Sequence, residues 1–199
     1  MYTLSIETSG PYTSCAIAQD DQLKYFLASY KRFHHAEDIN LLVDKLLELE
    51  KIKWKDIQNV VITLGPGFFT GLRVGISFIK ALSLVHQMKI YGVITLDVLA
   101  FVYGKEKVIP TLPAQKGEVF WAAYEKGKRI SEYTISRMEK IKEKYPDFEV
   151  CDPVKYPDAR ELMEFFNQNK NALSPHNPLE IEPFYLRLPN AYLKHNPTE

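Results

Sequence analysis

The glycine-rich segment from Leu64 to Leu82 is the feature that most restricts how this chain can fold. It reads LGPGFFTGLRVGISFIKAL and begins with three closely spaced glycines, Gly65, Gly67 and Gly71. Residues 59–64 form the apolar run NVVITL, which is too short for a helix and is ended by glycine, so they predict a buried strand. The apolar residues after the glycines predict a helix. A buried strand followed by a tight turn and a helix is typical of an α/β fold.

The backbone of this turn has two interpretations. A helix N-terminus offers unpaired N–H groups and a partial positive charge, and glycine lets a phosphate come close to the backbone. The spacing fits neither familiar phosphate fingerprint, because a dinucleotide loop requires G-x-G-x-x-G and a Walker loop requires lysine where Leu72 follows Gly71. A tight turn with close helix packing is therefore favoured, and phosphate binding is the alternative.

The helix predicted over 70–87 is apolar on more than half of its circumference. Such a helix lies deep in a core or is covered by another molecule, and a chain of 199 residues can hardly cover two apolar arcs itself. We expect the first arc to bind a partner, with Gly71 and Gly75 letting a second helix come close. The first arc contains Leu72, Gly75, Ile76, Ile79 and Leu82, and the adjoining arc contains Val74, Phe78, Ala81 and Val85.

A second amphipathic helix is predicted over 36–50. Glu37 and Asp38 suit the positive end of its dipole. Leu41 lies roughly opposite the apolar stripe, so we add it to the expected partner interface. The stripe itself consists of Ile39, Leu42, Val43, Leu46 and Leu49.

The first hundred residues predict the order strand, strand, strand, helix, strand, helix, strand, helix. Short β-rich runs separated by turn residues predict that the first three strands form an antiparallel meander. The whole order predicts one mixed sheet covered by helices. The predicted strands are 2–6, 14–18, 23–30, 59–64 and 90–95, and a short third helix is predicted over 96–103.

A second series of predicted strands and helices begins after Gly104. This predicts a boundary between two subdomains, 1–104 and 105–199. Prolines are frequent between Pro175 and Pro197, so the tail cannot form one continuous helix and is predicted to be extended. The second subdomain is predicted to contain strands at 108–112, 118–124 and 130–136 and helices at 137–145 and 158–169.

Composition limits the possible partners. The 25 lysines and arginines balance 25 aspartates and glutamates, so no overall positive field attracts nucleic acid, and any contact with nucleic acid is expected to be local or made through a partner. Cys15 and Cys151 form no C-x-x-C pair and offer no metal framework. The first residues lack a signal-peptide pattern and no apolar run approaches the roughly 18 residues of a membrane helix. A cytoplasmic protein without membrane contact is therefore expected.

The glycine-rich segment resembles the G-P-G-S-F-T-G-[LV]-R-[IV]-G signature of the TsaB (YeaZ) family, with Phe68 in place of the usual serine. Four further motifs of that family are echoed along the chain. Residues 6–9 resemble I-D-T-S, residues 35–37 resemble H-S-E, residues 117–120 match G-E-V-[YF], and residues 183–187 match P-x-Y-L-R.

The resemblance implies an α/β fold of the actin, Hsp70 and sugar-kinase (ribonuclease H-like) type, with two related subdomains of mixed sheets, the second one short. In that fold, phosphate-binding turns from both subdomains hold a nucleotide. This chain shows no second turn, LPAQK at 112–116 replaces an I-D-A-R-R type sequence, and Glu7 replaces the usual aspartate. A degenerate phosphate site is therefore expected. Its possible contacts are Glu7, Thr8, Ser9, Gly65 and Gly67.

The resemblance also implies a non-catalytic scaffold that binds the paralogue TsaD, the transferase that forms threonylcarbamoyladenosine in tRNA. TsaE and the threonylcarbamoyl-AMP synthase are implied as functional partners, with ATP possible only at the interface shared with TsaD. The chain is expected to contact tRNA at most indirectly and to form a homodimer in isolation. No metal is expected, because His34 and His35 are adjacent and do not form the H-x-x-x-H pair of TsaD. The alternatives are a small ATPase or kinase, and a peptidase acting on TsaD.

Overall fold

A computed structural model describes residues 1–187 of the chain. Its first half contains the predicted order of strands and helices, so the predicted order is confirmed. The five strands are β1 (Tyr2–Glu7), β2 (Ser14–Gln19), β3 (Gln22–Ala28), β4 (Ile57–Gly65) and β5 (Lys89–Ile94). The three helices are α1 (His35–Glu50), α2 (Phe69–Ser83) and α3 (Thr95–Tyr103).

These five strands form one mixed sheet in the order β3-β2-β1-β4-β5. The meander β1-β2-β3 is antiparallel, whereas β1, β4 and β5 run parallel to one another. The carboxyl ends of parallel strands lie at one edge of a sheet. Glu7 and Gly65 are therefore brought to the same edge.

Both faces of this sheet are buried at its central strands. The central strands β1 and β4 are buried along almost their whole length, as expected for a sheet covered on both sides. Helices α1 and α2 cover one face with the core residues around Leu4, Ile6 and Ile62. The other face is covered by α3 and by α5 (Ala159–Asn169), which contributes Leu162 and Phe166.

The second half of the described chain differs from the prediction in one systematic way. Two predicted strands, 108–112 and 118–124, are each divided between two small sheets. Pro110 separates the first pair, because proline has no N–H to donate to the ladder. The strands are β6 (Lys107–Ile109), β7 (Thr111–Pro113), β8 (Val119–Trp121), β9 (Tyr124–Glu125), β10 (Lys128–Arg129), β11 (Thr134–Ser136) and β12 (Glu149–Val150), and the remaining helix is α4 (Met138–Lys144).

The two small sheets have the orders β10-β9-β6-β12 and β11-β8-β7. Strand β12 has only two residues and was not predicted. The predicted strand 130–136 is shorter and is limited to β11. The predicted subdomain boundary at Gly104 stays a prediction; Gly104 ends α3 in the left-handed region, yet α5 packs back on β1 and β2.

The end of α2 also differs from the prediction. The helix stops at Ser83, so Leu84 and Val85 lie beyond it and are 72% and 78% exposed. The tail contacts the first sheet through a bridge between His176 and Ile90 and through a hydrogen bond from Phe184 to Leu64. Residues 188–199, which include part of the predicted extended tail, lie outside the described residues. None of the described helices is long and apolar enough to cross a membrane.

Candidate functional site

Glu7 is the buried acidic group at the carboxyl edge of the first sheet. Its side chain is 1% exposed, and its Oε1 accepts hydrogen bonds from the Ser9 N–H at 2.6 Å and the Thr63 hydroxyl at 2.9 Å. Burial outweighs these hydrogen bonds and raises the pKa of Glu7 to about 7. The other oxygen, Oε2, has no hydrogen-bond partner among residues 1–187. Glu7 is therefore an internal group that fixes the turn after β1.

The turn after β1 packs directly against the glycine-rich loop. The Phe68 N–H donates to the Ser9 carbonyl oxygen at 2.8 Å, and a Cβ on Gly67 would lie only 2.5 Å from that oxygen. Thr8 and Ser9 are completely buried. The residues expected to contact phosphate thus lie close together, but they pack directly against each other. The expected phosphate contact at Thr8 and Ser9 is therefore not open to solvent.

The two glycines at the start of α2 face inward. A Cβ on Gly71 would lie 2.1 Å from the Thr8 carbonyl oxygen, and a Cβ on Gly75 would lie 2.4 Å from the Thr8 hydroxyl. These glycines let α2 approach the end of β1 within the same chain. The prediction that Gly71 and Gly75 admit a partner's helix is therefore wrong.

The rest of the first arc of α2 follows the same pattern. Leu72, Ile76 and Ile79 are 2%, 3% and 0% exposed and pack in the chain's own core. Their assignment to a partner interface is corrected, because the arc that carries the glycines is the one that can come close to β1. Leu82 is half-buried, whereas Leu41 on α1 is 68% exposed. The outward arc of α2 is the adjoining one, with Val74 and Phe78 half-buried and Ala81 exposed.

His35 is the buried histidine at the start of α1. Its Nδ1 is 2.8 Å from the Thr13 hydroxyl, and its Nε2 has no partner among residues 1–187. Burial lowers the pKa of His35, which favours the neutral imidazole. His34 is exposed, so the two side chains point into different environments. Within the described part of the chain, no three His, Cys, Asp or Glu side chains are grouped as metal ligands.

A cavity of about 480 Å³ lies beside the glycine-rich loop. One wall is the loop and the start of α2, and the opposite wall is the β7–β8 turn and the tail. The Phe184 N–H donates to the Leu64 carbonyl oxygen at 2.8 Å and holds the tail in place. The lining is mainly aromatic and apolar, and it includes Phe68, Phe69, Phe120, Tyr156, Phe184 and Tyr185.

Sequence reasoning named Gly67 and Leu72, which line this cavity, but missed the aromatic side chains that form most of its wall. Phe68 stacks on Tyr156 at 5.5 Å between ring centroids, and Phe69 stacks on Tyr185 at 5.4 Å. Each pair joins parts of the chain that are far apart in sequence, so no local periodicity indicates it. The one available signal was Phe68, which stands where the family motif has serine.

Comparison with known proteins identifies the family. A family model described as "TsaD: tRNA N6-adenosine threonylcarbamoyltransferase" matches residues 30–185. The chain is 32% identical to the tRNA threonylcarbamoyladenosine biosynthesis protein TsaB of Buchnera aphidicola subsp. Acyrthosiphon pisum (strain APS), over 92% of this chain and 87% of that protein. The chain belongs to the TsaB (YeaZ) family. The resemblance found in the sequence is confirmed.

Two further comparisons extend this result. TsaB of Escherichia coli (strain K12) is 30% identical over 63% of this chain, and the match spans 56% of that protein. The crystal structure of YeaZ from Pseudomonas aeruginosa superposes with a TM-score of 0.80 at 19% identity, covering 93% of this chain and 99% of that one. The predicted α/β fold with mixed sheets is confirmed for this TsaB-family chain.

Proposed function

We propose that this chain acts in the formation of threonylcarbamoyladenosine in tRNA as a non-catalytic subunit that binds a TsaD-type transferase. The pathway is supported by its relatives, which are tRNA threonylcarbamoyladenosine biosynthesis proteins TsaB. The observation that carries the non-catalytic role is the closed contact between Ser9 and Gly67. A phosphate-binding turn must offer free backbone donors to its ligand. In this chain the Phe68 N–H is already bonded to Ser9.

The same closed region argues against the two alternative activities. A kinase or ATPase needs a carboxylate that reaches a metal-bound nucleotide, and Glu7 is sealed at 1% exposure. A peptidase needs an accessible nucleophile beside a base. Ser9, Ser14 and Cys15 are all buried, and burial raises the pKa of the Cys15 thiol, which disfavours the thiolate.

The transferase is proposed to dock on the outer helical face, defined here as Leu41, Ala81, Leu84 and Val85. Helices α1 and α2 pack side by side, and both have their inner surfaces in the core. Leu41, Leu84 and Val85 are 68%, 72% and 78% exposed. Burying a leucine or valine side chain fully is worth about 1.5–3 kcal/mol, so covering this face favours association. In the absence of the transferase, the same face would pair two copies of this chain.

Nucleotide is proposed to bind only at the interface shared with the transferase, since the phosphate turn of this chain is closed. A TsaE-type ATPase and a threonylcarbamoyl-AMP synthase are proposed as the other functional partners. Because tRNA is the substrate of this pathway, the chain is proposed to act in the cytoplasm.

The test is a reconstitution of tRNA modification from the transferase, the ATPase, the synthase, ATP, bicarbonate and threonine. The amount of modified adenosine is measured by mass spectrometry with and without this chain. We expect modification to require the chain. Equal modification without the chain would contradict the proposal.

A further inference from the structure

The connection between β3 and α1 exposes aromatic and basic side chains together. Residues 30–34 read Tyr-Lys-Arg-Phe-His, and all five are exposed. Tyr30 is 96% exposed and Phe33 is 53% exposed, although large aromatic side chains are usually mostly buried. Phe33 also has a φ of +62°, an uncommon backbone conformation for a bulky residue, and its N–H donates to the Pro11 carbonyl oxygen at 2.8 Å. The exposed ring is therefore held in a defined place.

A continuous aromatic surface leads from Phe33 to the cavity. The Phe33 ring contacts Phe68 edge to face with a centroid distance of 5.0 Å, and Phe68 stacks on Tyr156. On the other side of the loop, Phe69 stacks on Tyr185. Phe68, Phe69, Tyr156 and Tyr185 all line the cavity of about 480 Å³.

Unpaired cations border this aromatic surface. Arg32 lies 5.3 Å from the Phe33 ring centroid, and Arg73 lies 4.2 Å from that of Phe69 while its Nε–H donates to the Tyr185 hydroxyl. Within residues 1–187, no carboxylate forms an ion pair with Lys31, Arg32 or Arg73. Glu37 is the exposed acid nearest in sequence to this connection. The surface is therefore locally positive on a chain whose net charge is zero.

We infer that this aromatic-basic surface, made of Tyr30, Lys31, Arg32, Phe33, Phe69 and Arg73, binds a single-stranded stretch of RNA. Unstacked bases bind on aromatic rings, and basic side chains at the border bind the phosphates. The cavity has the volume of a small-molecule pocket, which suits one extruded base. The choice of RNA rests on the proposed function, and it replaces the expectation that tRNA contact is at most indirect.

The alternative occupant is a protein partner, which the charges favour less. A protein interface generally has few charged residues at its core, whereas here Arg32 and Arg73 lie against the rings and Lys31 is exposed next to Arg32 in the chain. Nucleic acid supplies both the stacked faces and the negative charge.

Fluorescence anisotropy with a labelled oligouridylate of about ten nucleotides, and with an unmodified tRNA transcript, tests the inference on the full chain. The test variant is Tyr30→Ala with Lys31→Gln, and the matched control is Tyr25→Ala with Lys24→Gln on β3. All four residues are exposed, so both variants should fold. We expect the test variant to weaken binding at least about fivefold, the loss of one stacked base, and the control to stay within about twofold. The test variant should also lower the salt slope by roughly 0.7 for the lost phosphate contact.

Three outcomes would overturn the inference: absence of binding to either RNA, equal effects of the two variants, or binding that does not depend on salt. If RNA binding is absent and the test variant instead loses the transferase, the surface belongs to a protein interface. RNA binding without stimulation of tRNA modification would contradict the proposed function alone. Stimulation without RNA binding would contradict this inference alone.

Discussion

The carbonyl oxygen of Ser9 accepts a hydrogen bond from the Phe68 amide at 2.8 Å, and this contact joins the turn after β1 to the glycine-rich loop before α2. Glu7 fixes the other side of the same turn by accepting from the Ser9 N–H. The turn after β1 and the glycine-rich loop are thus packed against each other by the chain's own groups.

This close packing makes Gly71→Ala destabilising. Alanine has the better helix propensity by about 1 kcal/mol, but a Cβ at this position would lie 2.1 Å from the Thr8 carbonyl oxygen. We expect the clash to lower the free energy of unfolding by about 1–3 kcal/mol, measured by urea denaturation. The control is Ser77→Ala at an exposed position of the same helix, which should leave the free energy of unfolding nearly unchanged. A stabilised Gly71→Ala variant would show that α2 lies farther from β1.

The burial of Glu7 predicts a pH dependence of stability. The pKa of Glu7 is about 7 in the folded chain, above its ordinary value of 4.5, so the folded state binds the proton more tightly than the unfolded state. Stability is therefore highest below the ordinary pKa and falls as the pH rises to about 7. The difference between these two pKa values corresponds to a loss of roughly 3 kcal/mol in the free energy of unfolding.

Glu7→Gln imitates the protonated side chain and should remove this slope. The measurement is urea denaturation of both proteins at several values between pH 4.5 and pH 7.5. We expect the stability difference in favour of Glu7→Gln to grow across this range. A difference that stays constant would mean that Glu7 titrates normally.

The closed phosphate turn predicts that the isolated chain does not turn over ATP. Glu7 is buried and the Phe68 amide is bonded to Ser9, so neither is available to a nucleotide. The rate should therefore stay far below the median enzyme value of about 10 per second. Phosphate release is the measurement, with Glu7→Ala as the matched variant. Turnover near that value that Glu7→Ala abolishes would contradict the non-catalytic role.

Sequence periodicity was sufficient for the first sheet and its helices. The change from β-rich runs to the spacing of Ile39, Val43 and Leu46 predicts α1, and the short run before Gly65 predicts β4. Periodicity could not tell which arc of α2 faces the core, because both arcs are apolar. That choice depends on the contact of Gly71 with Thr8, which is a tertiary contact.

The candidate site could be predicted only in part. The family motifs indicated that Glu7, Ser9 and Gly67 belong to one region. In the structure they are close together, because they lie at or just after the ends of the adjacent parallel strands β1 and β4. Their closure could not be predicted, since it depends on distances between the two turns. The cavity was missed because Phe68 and Tyr156 meet only after α5 folds back on the first sheet.

The most direct test of the account is the affinity of this chain for the TsaD-type transferase, measured by isothermal titration calorimetry with a matched pair of variants. Val85→Glu puts a charge on the outer helical face, and Val154→Glu puts the same charge on another surface, at residues that are 78% and 83% exposed. Neither side chain is in the core, so both variants should fold with normal circular dichroism. We expect Val85→Glu to weaken binding by about 2 kcal/mol, roughly thirtyfold, if Val85 lies near the centre of the interface, and Val154→Glu to bind as the wild type does. Unchanged affinity of a folded Val85→Glu variant, or equal loss in both variants, would contradict docking on the outer helical face.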